Sequence, residues 1–154
     1  MASVLLPLAA LLSVAASADV TPAAAIEEYC EPLFAGSVAE QVRAQAMARG
    51  FQQQVVSGQT ILIKGELLVS VSDSPRACFV QAPSTMTLEQ GFRLADDWAS
   101  RSQGALRSPA TTGPDGAPVR GWSVPGKGLS LVATQQTAPT GRKVMAFIVM
   151  AASR

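Results

Sequence analysis

The sequence predicts an α+β domain: a mainly antiparallel sheet of about five to six strands packed against two to three helices, with one disulfide. Three observations carry that expectation. Helical signals end near Ser102 and the last third alternates strand with turn, the segregated order of an α+β chain. Strand candidates in both halves show a period of two. The only two cysteines fall one on a helix and one in an apolar strand, 48 positions apart. At 154 residues the chain is one domain with room for a single core.

Residues 1–18, MASVLLPLAALLSVAASA, read as a secretory signal peptide. Val4–Val14 form the apolar stretch and Ala16-Ser17-Ala18 a small-residue cleavage site. The n-region has no Lys or Arg, and the alternative is a buried N-terminal helix. The expected product is a single exported domain, 19–154, periplasmic or secreted, with no membrane span after cleavage. In such a compartment, two cysteines are expected to form one Cys30–Cys78 disulfide; two free buried thiols are the alternative.

Thr21-Pro22 opens the first helix, with Thr as cap and Pro in the first turn. Ile26, Tyr29, Cys30, Leu33 and Phe34 share one face by their spacing, so Cys30 points inward. Pro32 lacks the N–H of a helix interior and predicts a kink or break. Ser37 with Glu40 reads as a capping box for a helix ending near Arg49, with Val38, Val42 and Ala46 inside and Gly50 as its stop. Gln52-Gln53-Gln54 reads as a solvated connector.

From Thr60 to Ser72 the period becomes two, with Lys64-Gly65 either a tight turn or a glycine bulge. Asp73-Ser74-Pro75 is a turn, and Ala77–Gln81 returns as a strand with Cys78 and Val80 on one face. Thr87 and Gln90 box a third helix to about Ser102, with Leu88, Phe92, Ala95 and Trp98 buried. Arg93–Asp97 and Asp97–Arg101 are spaced as outer ion pairs. Four strands follow, 105–111, 117–124, 128–136 and 143–152, separated by Gly- and Pro-rich turns. The last is apolar on both faces and reads as a central strand covered on both sides. Strands 117–124 and 128–136 alternate, so each should have one wetter face.

The chain has 12 Lys+Arg, 11 Asp+Glu and no histidine. Its net charge of +1, without a basic block, gives no footprint for nucleic acid. Without histidine there is no Ser-His or Cys-His nucleophile pair and no imidazole-held metal. Asp96-Asp97 would point about 100° apart on a helix and so cannot flank one bond; a solvated face paired with Arg93 and Arg101 is the expected role. Glu27, Glu28 and Glu31 lack the loop that holds a hard cation. The glycines near Lys127 match no phosphate loop. No catalytic residue, metal site or cofactor is therefore expected.

Trp122 beside Arg120 is the candidate for an exposed recognition patch, because aromatic and arginine side chains dominate binding hot spots. The alternative is that Trp122 caps the core of the sheet. The function expected is a non-enzymatic protein- or ligand-binding module displaying one sheet face with Trp122 and Arg120. Its partner would be another envelope protein or a small ligand. The rivals are an envelope enzyme using carboxylates or a Ser-Lys pair, and a structural accessory subunit.

Overall fold

A computed structural model of the chain describes residues 19–153, and the leader expected over 1–18 lies outside the described residues. The fold is α+β, with nine antiparallel strands and three helical segments on one side of them. The first segment, α1, runs without interruption through Pro22–Ala25, a π-turn at Ile26–Cys30, and Glu31–Phe34. Pro32 has no N–H, and the ladder widens one turn before it: Glu31 N–H donates to Ile26 O, five residues back. The predicted break is thus a bulge that leaves the helix continuous. Ile26, Tyr29, Cys30 and Leu33 are all fully buried.

Helix α2 (Ala39–Ala48) starts one residue later than the Ser37 box predicts. Its first free N–H, from Ala39, donates to both carboxylate oxygens of Asp73 at 3.0 and 3.1 Å, so the cap comes from a distant strand end. Gln41 Oε1 also accepts from the Val38 N–H. Gly50 ends the helix as expected with φ +90°, and Phe51 N–H reaches back to Ala46 O. Phe51 then packs edge-on against Tyr29. Helix α3 (Leu88–Ser100) has the predicted Thr87–Gln90 box, with both hydrogen bonds formed. Its outer pairs differ from expectation: Arg93 bonds Glu89 and Arg101 bonds Glu27, leaving Asp97 out.

The strands are β1 (Gln52–Val56), β2 (Gln59–Lys64), β3 (Leu67–Asp73), β4 (Arg76–Gln81), β5 (Leu106–Arg107), β6 (Thr111–Thr112), β7 (Pro118–Val124), β8 (Leu129–Thr137) and β9 (Lys143–Ala151). Nine replace the expected five or six for three reasons. The glutamine run is an edge strand, turned into β2 by Ser57-Gly58, both at positive φ. Lys64 pairs with Leu67, which settles Gly65-Glu66 as a tight turn. The run 105–111 divides around Ser108-Pro109 into two short strands that both pair with β7.

The sheet order is β1-β2-β3-β4-β9-β8-β7-β5. Two meanders therefore meet at the centre, where β4 pairs with β9 across the return made by α3. Helix α1 packs on β4, α2 on β2 and β3, and α3 on β7 and β8. Val69, Val71, Cys78, Val80, Leu131, Met145, Phe147 and Val149 alternate inward beneath them as the core. β9 is central as expected but covered by helices on one face only. On its other face Ala146 is buried among neighbouring strands, Ile148 is half-buried and Met150 is 36 % exposed.

Candidate functional site

The disulfide is formed between Cys30 on α1 and Cys78 on β4, and both residues are fully buried. It pins the first helix to the centre of the sheet. Its place in the core makes it scaffold.

Trp122 and Arg120 do not form an exposed patch. Both alternate to the helix side of β7, where α3 lies across them, and Trp122 is 3 % exposed. The exposed reading gives way to its alternative, a tryptophan in the core. The indole N–H donates to Asp96 Oδ1 at 2.8 Å, and Arg107 holds the same carboxylate at 3.1 Å. Phe92 meets the Trp122 ring edge-on at 6.0 Å, and the Arg120 guanidinium lies over the Phe92 ring at 5.1 Å. Asp96 is thus a tie between α3 and two strands, where a solvated partner of Arg93 and Arg101 was expected.

The glutamates of α1 diverge. Glu27 pairs with Arg101, Glu28 with Arg49, and Glu31 accepts from both Trp98 Nε1 and Lys127 Nζ. Each carboxylate is drawn to a different element, and they enclose no common point. Lys64 donates to the Arg49 carbonyl at 2.7 Å and Lys127 to Glu31, so neither is paired with a serine. An open groove of about 620 Å³ lies between the start of α1 and α3, lined by Pro22, Pro83, Met86, Leu94, Asp97 and Arg101. Of its two arginines, Arg101 is tied to Glu27 and Arg93 to Glu89, and Asp97 is the one carboxylate in its lining.

The open face of the sheet is the distinctive surface. Every charged residue in the nine strands, Lys64, Asp73, Arg76, Arg107, Arg120 and Lys143, alternates to the helix side. Each sits near the end of its strand or under a helix rim. No strand residue of the opposite face is charged, and Glu66 and Arg142, from the turns, stand beside Gln81 and Val144 at one end of it. Its central row runs Ser70, Phe79, Ile148, Val132, Gly121 across five hydrogen-bonded strands. The next row runs Ile63, Leu68, Gln81, Ala146, Thr134, Val119. Val56, Leu106 and Met150, 50 %, 66 % and 36 % exposed, lie toward its margins.

A solvated sheet face ordinarily alternates toward polar and charged residues. Charge depletion around an apolar centre is the composition of a contact surface. The sequence missed this face because parity between strands is invisible until register is known. The signal was present within each strand: no charged residue shares parity with Ile61, Ser70, Phe79, Val132 or Ile148. A scan against protein-family models, a search of curated proteins and a search of solved structures each found no match.

Proposed function

We propose that the chain is a non-catalytic, exported binding module that docks a protein partner on the charge-free face of its sheet. The carrying observation is that all strand charges are confined to the helix side, leaving the strand residues of the opposite face uncharged and its centre apolar. Water alone gives no reason for that segregation, whereas a partner that must desolvate the face does: a charge there would lose hydration without gaining a counter-ion. Export is supported by the leader-like sequence of residues 1–18 and by the buried disulfide, a bond that persists in oxidising compartments. No described helix is long and apolar enough to cross a membrane.

The test is a photo-reactive side chain placed at Val132 on the open face, with a matched probe at exposed Arg93 on α3. Cross-linked protein adducts at position 132 and none at 93 support the proposal. Equal labelling at both, or none at 132, overturns it.

A further inference from the structure

We infer that the occupant of the open face is a second copy of this chain, packed sheet to sheet about a twofold axis. The inference rests on reading that face as a docking surface and goes on to name the partner. Charge is the first argument. A face whose strand residues carry neither sign of charge gives no anchor to a charged partner, and two such faces meet without like-charge repulsion between their strands. Size is the second. The sheet path is eight strands wide. Strand spacing and rise make that about 35 Å by 20 Å, or about 700 Å². A stable interface uses about 800 Å² per partner, so one copy of the face is the right size to cover another.

Shape is the third argument, and it concerns self-complementarity in particular. In a twofold contact, residue i meets j and j meets i. The central row descends from Phe79 on β4 through Ile148 and Val132 to Gly121 on β7, consecutive partners on four neighbouring strands. It carries a large side chain at one end and none at the other. Gly121 has no side chain of its own and is flanked by the Ser108 hydroxyl, 3.2 Å from where a Cβ would stand. A twofold axis in the plane between two sheets, running between β9 and β8, sets Phe79 over the partner's Gly121. The same operation sets Ile148 over the partner's Val132. The bulkiest side chain of the row meets the residue that has none twice, once on each side of the axis. Two sheets packed in this way form a closed sandwich, as aligned sheets do.

Sedimentation velocity on the purified chain with its disulfide intact tests the inference. Interfaces of this size hold at about micromolar or tighter. A dimer is therefore expected well below about 100 µM, and a chain that stays monomeric at about 100 µM overturns the inference. Ile148→Lys is expected to weaken the dimer about thirtyfold or more. Val132→Thr, a gentler change that keeps the strand shape, should weaken it in the same direction. Met47→Lys, at an exposed apolar site on α2, should leave it unchanged. Circular dichroism of each variant establishes that the fold is kept. Dimerisation should also be nearly indifferent to salt. A strongly salt-dependent dimer, or equal losses in Ile148→Lys and Met47→Lys, would place the contact elsewhere and overturn the inference. A monomer that still cross-links a different protein at position 132 would defeat the self-contact and leave the docking face standing.

Discussion

Trp122 on β7 and Asp96 on α3 are joined by an indole N–H that donates to the carboxylate at 2.8 Å, and this bond decides the roles of two adjacent aspartates. Asp96 faces inward over the sheet, while Asp97 lies a helical step away on the exposed side. Side by side in sequence, one is structural and the other free.

Asp96→Ala removes the acceptor from an indole that remains buried, and an unsatisfied buried donor costs about 1–3 kcal/mol. Asp97 has no side-chain hydrogen-bond or ion-pair partner among the described residues, and Asp97→Ala should stay within about 0.5 kcal/mol of the parent. Urea unfolding of the two variants checks the contrast. Equal losses would mean that the Trp122–Asp96 bond contributes nothing. Asp96→Asn, which keeps an oxygen for the indole, should fall between them.

Gly91 in α3 stands where helix propensity and packing oppose each other. Alanine there would gain up to about 1 kcal/mol of propensity. A Cβ at this position, however, would lie 2.5 Å from Met145 Cε and 2.8 Å from Met145 Cγ. Met145 is fully buried in β9, so its Cγ has no free direction to yield. Overpacking costs about 1–3 kcal/mol and outweighs the propensity. Gly91→Ala is therefore expected to destabilise the chain, and Met145→Val should cost less in that background than in the parent. Additive losses in the double mutant would show that the two sites are uncoupled.

The disulfide offers a check in mass and in kinetics. The intact chain should weigh two hydrogens less than its thiol form. Both cysteines are 0 % exposed, so a reductant can reach them only when the chain opens. Without denaturant, reduction should saturate with reductant concentration at the opening rate. Removing both cysteines should cost about 2–5 kcal/mol. Rapid, unsaturated reduction under native conditions would mean that the bond is exposed.

What the sequence disclosed was local. Thr87–Gln90, Gly50, the inward face of Ile26, Tyr29 and Cys30, and the pairing of the two cysteines all depend on neighbours in sequence or on cysteine arithmetic. What escaped was long-range. The cap on α2 is Asp73, 34 positions from Ala39, and no local pattern encodes it. The glutamine run became a strand because β2 offers it a ladder, which outweighs a sequence with weak strand preference. Trp122 went inward because the parity of β7 is fixed by its register with Leu131, a core residue. The charge-free face has the same origin. It is a property of eight registers together, of which each strand shows only its own parity.

Tyr29 supplies a pH test of the core. Its phenol pKa is raised above the ordinary value of about 10, chiefly by burial and then by the Glu28 carboxylate, with Arg49 pulling weakly the other way. Its buried hydroxyl makes no hydrogen bond of ordinary geometry among the described residues, and the neighbouring Glu28 carboxylate is the acceptor that adds to the shift. In the unfolded chain the phenol ionises from about pH 10 upward, while in the folded chain it stays neutral to a higher pH. Above about pH 10 the unfolded state therefore binds fewer protons than the folded one, and stability falls as pH rises. Below that pH the group contributes no slope. Tyr29→Phe should remove this part of the alkaline loss. Near neutral pH it should change stability little, because the hydroxyl it deletes makes no hydrogen bond of ordinary geometry among the described residues. Thermal melts from pH 7 to pH 11 would show the two curves diverging only at the alkaline end. Parallel curves would mean that Tyr29 ionises alike in the folded and unfolded chains.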